Sequence, residues 1–463
     1  MEVIAQAPQP TVICYHSMIE GKVAEGASKK AHQEFTPKSD YFSGKNLQSY
    51  NFEKSLENFS GSFSFTIKED IAGNSTPFMD KVQPLDIITI SESGSEQKID
   101  FIGVVTTISI GGTAANLNKV VTVSGKSIEW LFEFYNINAD VKLVVMENKS
   151  ANTIFKLDLA KNDGKEGLSI KDIVMGTYKM FENQVANTNA KEVSNFMIGE
   201  IIKEWFGTPD NFIDAETIDF KYPISTDLFT GGKVNMIDFL KRLLQTPIYE
   251  MYGYINENNR PVLKFRQVPF DNPESDFSIN PSLLTDFTLT RNCEEVYTAF
   301  MPYIEGTSMS PDFYMNLQAA KGMASGYNAA LPNAEKVKVY GYQLLTCSFV
   351  GYNENPSNAS EQGFNESDLR DLSAKLEKWF SRLDEMYSGD FTIVNTPLQT
   401  KKQARIGDWV RFMKGLFYII SEKHSWTYGD NPMINYSVTR GGEYNNGEFK
   451  RLEKLSAAYR EFE

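Results

Sequence analysis

Histidine and cysteine are the scarcest chemically useful residues of this chain, with three of each among 463 positions. The cysteines (Cys14, Cys293, Cys347) are odd in number and far apart. That excludes a disulfide framework and fits reduced core residues of a chain folded in a cytoplasm. The histidines (His16, His32, His424) have no spacing that a triad or a closed metal site requires. Cys14 and His16 would share one face of a strand, but no further ligand stands beside them, so packing is preferred to zinc. His424 is read as structural. Basic residues are also short, 46 against 60 acidic ones, for a formal net charge of −14. A protein that grips nucleic acid by its phosphates needs the reverse balance, although like charge suits a surface past which nucleic acid slides. No apolar run approaches the ~18–20 residues that cross a bilayer. The first residues, MEVIAQAPQP, have neither the basic region nor the apolar core of a secretory signal.

Catalytic motifs are missing as well. Ser124-Gly125-Lys126-Ser127 fails as a phosphate loop because Val120 stands where the first glycine belongs, and Gly125 is read instead as the turn ending a strand. No nucleophile elbow or dinucleotide fingerprint occurs in a strand-turn-helix setting. Sixty carboxylates always allow a pair to be drawn, and nothing selects one. No catalytic, cofactor-binding or metal-binding residue and no cofactor is assigned, and the chain is not read as an enzyme.

What the sequence does contain is a block written twice. SGSFSFTI (60–67), VQPLDIITIS (82–91), IDFIGVVTTISIG (99–111) and NKVVTVSG (118–125) make one set of strands. YSGDFTI (387–393), ARIGDWVRF (404–412), LFYIISEKHSWTYG (416–429) and INYSVTRGG (434–442) repeat it in the same order. Alternating apolar and polar residues and β-branched runs mark half-buried antiparallel strands, and a small closed or nearly closed barrel manages so many short edges. The alignment makes Asp86 and Asp408 equivalent, and likewise Gly125 and Gly441. An aromatic share of 13% favours β structure and broad contact surfaces.

The length allows about three domains at ~150 residues each. The fold class is α+β, mainly β: two antiparallel β-barrel modules with an inserted mixed α+β domain and peripheral helices. The boundaries read as 1–126 for the first module, 127–285 for the mixed domain, 286–445 for the second module with an inserted loop and amphipathic helix, and 446–463 for a C-terminal helix. Helices are expected at 127–135 with Ser127 as N-cap, at 191–206, 236–244 and 365–387, and strands at 141–147 and in a hairpin of 249–255 with 261–268. Residues 337–352 are expected to pair with 286–306. The polar stretches 21–58, with one strand near 48–52, and 307–336 read as long loops or contact arms.

The repeated block, the mixed region ending in RQVPFD (266–271), the amphipathic helix before the second copy and the closing GLFYIISEKHSW and YSVTRGGEY together resemble a known family. It is that of the central hub proteins of phage contractile-tail baseplates, which includes late-control D proteins and the N-terminal part of secretion-system spike proteins. The resemblance implies that the barrels are of the tube type and that the chain forms a homotrimer. Six barrels in a ring would then adapt a sixfold tail tube to a threefold spike and form part of the channel. It implies as partners the central spike protein and the tail tube protein, with tape-measure and baseplate wedge proteins as further candidates. DNA would pass through the lumen without specific binding, and no membrane segment is implied. The location would be a virion tail baseplate or phage-tail-like particle. Alternatives are a tail-associated cell-wall hydrolase and a receptor- or carbohydrate-binding tail protein.

Overall fold

Strand alternation comes out cleanly in Ser62–Glu69, where Phe63, Phe65 and Ile67 are buried while Ser62, Ser64 and Thr66 face the wet side. The structure, a computed structural model, describes residues within 10–69, 82–138, 168–178, 197–305, 334–350, 366–395 and 403–452, though not every position inside those ranges. Fourteen strands form one main sheet. Seven come from the first copy: β1 (Thr11–Tyr15), β2 (Gln33–Phe35), β3 (Asn46–Ser55), β4 (Ser62–Glu69), β5 (Ile87–Ser91), β6 (Phe101–Thr113) and β7 (Asn116–Ser127). Seven come from the second: β8 (Phe277–Ser278), β9 (Leu284–Thr290), β10 (Tyr387–Val394), β11 (Trp409–Phe412), β12 (Gly415–Thr427), β13 (Met433–Asn445) and β14 (Glu448–Lys450). The path runs β9-β10-β13-β12-β3-β4-β7-β6-β5-β1-β2, with β8 beside β11, β11 beside β12 and β14 beside β13. The result is a mainly β, α+β fold built on a large curled antiparallel sheet.

The two copies have the same wiring. β4 pairs β7, β7 pairs β6 and β6 pairs β5; in the same way β10 pairs β13, β13 pairs β12 and β12 pairs β11. The aspartate equivalence holds down to single hydrogen bonds. The Asp86 carboxylate accepts from the Gln83 N–H at 2.8 Å, and that of Asp408 accepts from the Arg405 N–H at 2.8 Å. Each aspartate N–H donates three residues back, at 3.1 and 3.0 Å, and each aspartate carbonyl accepts from the long strand, from Val105 at 2.9 Å and Ile419 at 3.0 Å. The residue before each has positive φ: Leu85 at 73° and Gly407 at 82°. A side chain that closes its own turn is a common use of aspartate. Asp86→Ala and Asp408→Ala are each expected to lower unfolding free energy by about 1.5–3 kcal/mol, the worth of a hydrogen bond to a charged group. Chemical denaturation measures this, and a null effect at only one of the two would break the equivalence.

The glycine pairing is corrected. Gly125 faces Val105, and Val105 matches Ile419, which faces Val438; Gly125 is therefore equivalent to Val438, and Gly441 falls near Ser127. Both glycines lie inside strands rather than at turns. Each makes room for a ring that crosses it, but from different strands. A Cβ on Gly125 would come 2.6 Å from Phe63, and one on Gly441 would come 2.2 Å from Phe417.

The mixed domain packs on the outer face of the first module. Ile87, Ile102 and Val104 point into a core shared with α1 (Trp130–Phe134), α2 (Met197–Phe206), α3 (Met236–Leu243) and the hairpin Tyr249–Ile255 with Pro261–Gln267. α3 is capped by Asn235, whose side chain accepts from the Asp238 N–H. The amphipathic helix α4 (Glu366–Phe380) sends Leu372, Leu376 and Trp379 into this same core rather than into that of the second module. The inner faces form separate cores, with Phe52, Phe65, Ile90 and Val123 in the first and Phe391, Phe417, Ile419 and Tyr436 in the second.

Several local expectations change. Ser127 ends β7, and its hydroxyl accepts from the Gly61 N–H instead of capping a helix. Residues Ala334–Tyr340 are helical, and Leu344–Val350 pairs in parallel with Ala299–Glu305. Glu448–Lys450 is a strand on β13 rather than the start of a helix, because Phe449 stacks on Trp409 at 5.3 Å; residues 453–463 lie outside the described residues, as do the expected strand 141–147 and the stretch 307–333. The strand expected near 48–52 is present as β3 and is longer, ten residues. No described helix is long and apolar enough to cross a membrane.

Candidate functional site

The two copies are joined by a strand pair. β12 and β3 run antiparallel from Ser421 opposite Ser55 to Thr427 opposite Ser49. Period-two alternation sorts this seam into two faces. Lys423 faces Glu53 on the exposed side, while Glu422, His424 and Trp426 face Lys54, Phe52 and Tyr50 on the buried side. The C-terminal half of β12 thus serves the first module's core, as Trp426 does, and its N-terminal half serves the second.

Charge is concentrated where the modules meet. Glu92, at the end of β5, accepts from Tyr50 at 3.0 Å and from Asn395, and both its oxygens lie 3.1 Å from His424 Nδ1. Asp100 accepts from the Glu92 N–H at 2.9 Å and pairs with Lys98 at 3.1 Å and Arg405 at 3.4 Å. Arg405 also reaches Glu422 at 3.6 Å. Every link from Glu92 or Asp100 to Asn395, Arg405 or His424 crosses from one copy to the other. His424 is fully buried and its ring stacks on Phe52 at 4.3 Å. Burial opposes its charge, yet the Glu92 carboxylate, with Glu422 nearby, outweighs burial and raises its pKa to about 9. For Glu422 burial again opposes charge, and Arg405 and His424 prevail, holding its pKa below the usual glutamate value. The seam is therefore an ionised, interlocked set of groups that fixes one module against the other. The structural reading of His424 fits its place here; its carboxylate partners, about 330 residues away in the chain for Glu92 (|i−j| = 332), carried no sequence signal.

A second joint holds the mixed domain to the second module and uses the RQVPFD stretch. Arg266 pairs with Glu250 at 2.7 Å and donates to the Gly407 carbonyl. The Phe270 ring lies 3.9 Å from the Arg440 guanidinium and packs edge-on against Trp379, Trp409 and Tyr418. Asp271 accepts from Lys378 at 2.7 Å and Trp379 at 3.2 Å, which ties down α4.

Cys14 and His16 acquire a third neighbour that spacing did not show. Their ligand atoms and that of Asp86 lie within 4.8 Å of one another, with His16 Nδ1 at 2.8 Å and Cys14 Sγ at 3.6 Å from Asp86 Oδ2. Burial, reinforced by Asp86, pushes the Cys14 thiol far up, so it stays protonated. The carboxylate also closes the turn described above, and the three form a hydrogen-bonded group on the first module.

The class of protein that this fold and seam define is a mainly β protein with a duplicated β-module. No protein-family model matches the sequence, and no curated protein matches it. A solved structure shares its fold, and two others are similar to it more distantly. The 43 kDa tail protein of prophage MuSo2 from Shewanella oneidensis matches with a TM-score of 0.50 and 11% identity, over 93% of this chain and 98% of that one. A tail protein from Neisseria meningitidis MC58 matches at 0.48 and 9%, over 95% and 98%. The Francisella PdpA–VgrG complex matches at 0.42 and 10%, over 96% of this chain and 55% of that one.

Proposed function

We propose that the chain is the structural central hub of a contractile-tail baseplate, a trimeric adaptor between a sixfold tail tube and a threefold spike. The observation that carries this is the duplication: two modules that share the wiring of four strands, Asp86 matching Asp408, locked side by side by the β12–β3 ladder. A chain that holds two near-equivalent units at a fixed angle is what converts threefold into pseudo-sixfold symmetry. The shared fold with a prophage tail protein supports the reading. The net charge of −14 supports a lumen through which DNA passes without adhering. The role is non-enzymatic; the spike and tail tube proteins are the partners, with tape-measure and wedge proteins at the periphery. The strands of the first module lie within 11–127 and those of the second within 277–290 and 387–450, and the particle is a virion tail or phage-tail-like assembly folded in the host cytoplasm.

Mass measurement of the purified protein and of assembled particles is expected to give three chains per ring, and electron microscopy a threefold ring with pseudo-sixfold outline. A chain that stays monomeric in both settings sinks the proposal. Zymography on peptidoglycan is expected to show no clearing, and lysis would favour the hydrolase instead.

A further inference from the structure

Among the described residues, the internal seam has two counterparts that are left open within one chain. Val105 and Ile419 are equivalent through their aspartates, and each is followed by an irregularity at the same place, between Val105 and Thr107 and between Ile419 and Ser421. Thr107–Thr113 of β6 thus matches Ser421–Thr427 of β12, the segment that makes the seam. On the other side, Tyr50 faces Phe65 and Phe287 faces Phe391, while Phe65 faces Val123 and Phe391 faces Tyr436. β9 therefore stands to the second module as β3 stands to the first. Even the irregularity recurs, between Leu47 and Ser49 and between Leu284 and Asp286.

β3 and Ser421–Thr427 pair with each other inside the chain. Among the described residues, β9 pairs only with β10, and the ladder between β5 and β6 stops at Val104, so one edge of Thr107–Thr113 has no strand against it. We propose that β9 of one copy pairs antiparallel with Thr107–Thr113 of another, in the register the internal seam dictates: Thr290 opposite Ser109, Leu289 opposite Ile110, Thr288 opposite Gly111, Phe287 opposite Gly112.

Side-chain character agrees with that register. Leu289 and Phe287 lean on the second module's core, and Ile110, an isoleucine 44% exposed in a single chain, gains an apolar partner. Thr290, Thr288 and Ser109 fall together on the exposed face, and a side chain at Gly111 would meet only the Val120 carbonyl, at 3.8 Å. Ile108 and Ile110 occupy the places of Glu422 and His424, so the contact between chains is apolar where the contact within a chain is ionic. The contact is head-to-tail, with different strands on the two sides, and repeats from chain to chain until a ring closes. This deepens the hub reading and rests on it for the number of chains.

Paired cysteines test the register in a Cys293→Ser background. Leu289→Cys with Ile110→Cys is expected to give covalent multimers under oxidation, and Leu289→Cys with Thr106→Cys, four residues out of register, none. Ile110→Lys is expected to leave the melting temperature of the chain unchanged, because the side chain is exposed there, and to abolish assembly. An assembly of three chains that survives Ile110→Lys and gives no in-register cross-link overturns the pairing and leaves the hub reading standing. A wild-type chain that is monomeric at every concentration and in particles overturns both.

Discussion

Replacing His424 by leucine is expected to cost about 3–5 kcal/mol of unfolding free energy, the range for removing one partner of a buried ion pair. Leucine fills much of the space against Phe52, so the loss is electrostatic: Glu92 and Glu422 stay buried without the cation that both face. Glu92→Gln in the same background is expected to recover part of it, and the double variant to fall short of the sum of the single losses. Urea denaturation monitored by Trp426, which lies in the seam, reads the effect directly. An additive double variant, or a loss within about 0.5 kcal/mol of an exposed-surface substitution, would refute the locked seam.

The same residue sets an alkaline limit. Its pKa moves from an ordinary 6.5 to about 9 on folding, so the folded state binds the proton more tightly. The stabilisation is fully present below 6.5 and is lost as pH rises through 9; the shift is worth about 3 kcal/mol. Glu422 has the opposite sign: its contribution is present above the ordinary value of 4.5 and is lost below it as the carboxylate protonates. Stability attributable to the seam is therefore expected to be greatest between those ordinary values and to decline toward pH 9, a decline that His424→Leu removes.

The duplication was legible because it rests on strand order and turn chemistry, both local. QPLD and RIGD each place an aspartate three residues after the N–H it accepts from, and that spacing survives in the sequence. The glycine match misled for the opposite reason. Gly125 and Gly441 are required by rings of Phe63 and Phe417, which arrive from other strands, and such a constraint leaves only the glycine behind. Helix α4 was legible from its apolar stripe, but a stripe does not name the core that receives it. The seam was illegible for the same reason on a larger scale. Glu92, Asp100, Arg405, Glu422 and His424 look like ordinary strand residues until β12 is laid beside β3. Asp86 beside Cys14 and His16 is another case, since its partners lie 70 or more residues away in the chain.

Lys54→Met is expected to be as damaging as the loss of His424, at about 3–5 kcal/mol. Lys54 is buried in β3, where its ammonium pairs with Glu129 at 2.9 Å, donates to the Gly253 carbonyl at 3.1 Å and lies 5.7 Å from the Phe101 ring. Those three contacts belong to the residues just after β7, to the hairpin of the mixed domain and to β6, so a single cation ties the first module to its neighbour. Glu129 already has one buried oxygen without a hydrogen bond, and methionine would leave the whole carboxylate uncompensated. The close fit of Gly253 against Glu129, where an added Cβ would come within 2.0 Å of the carboxylate, leaves no room for the side chain to turn away. Lys54→Met combined with Glu129→Gln removes the stranded charge and is expected to recover most of the loss. Glu422 faces Lys54 across the β12–β3 ladder, so the single variant is also expected to weaken the seam, and limited proteolysis should then separate the two modules before either unfolds. If Lys54→Met melts both modules together with no recovery from Glu129→Gln, the lysine acts by packing alone and the charge argument fails.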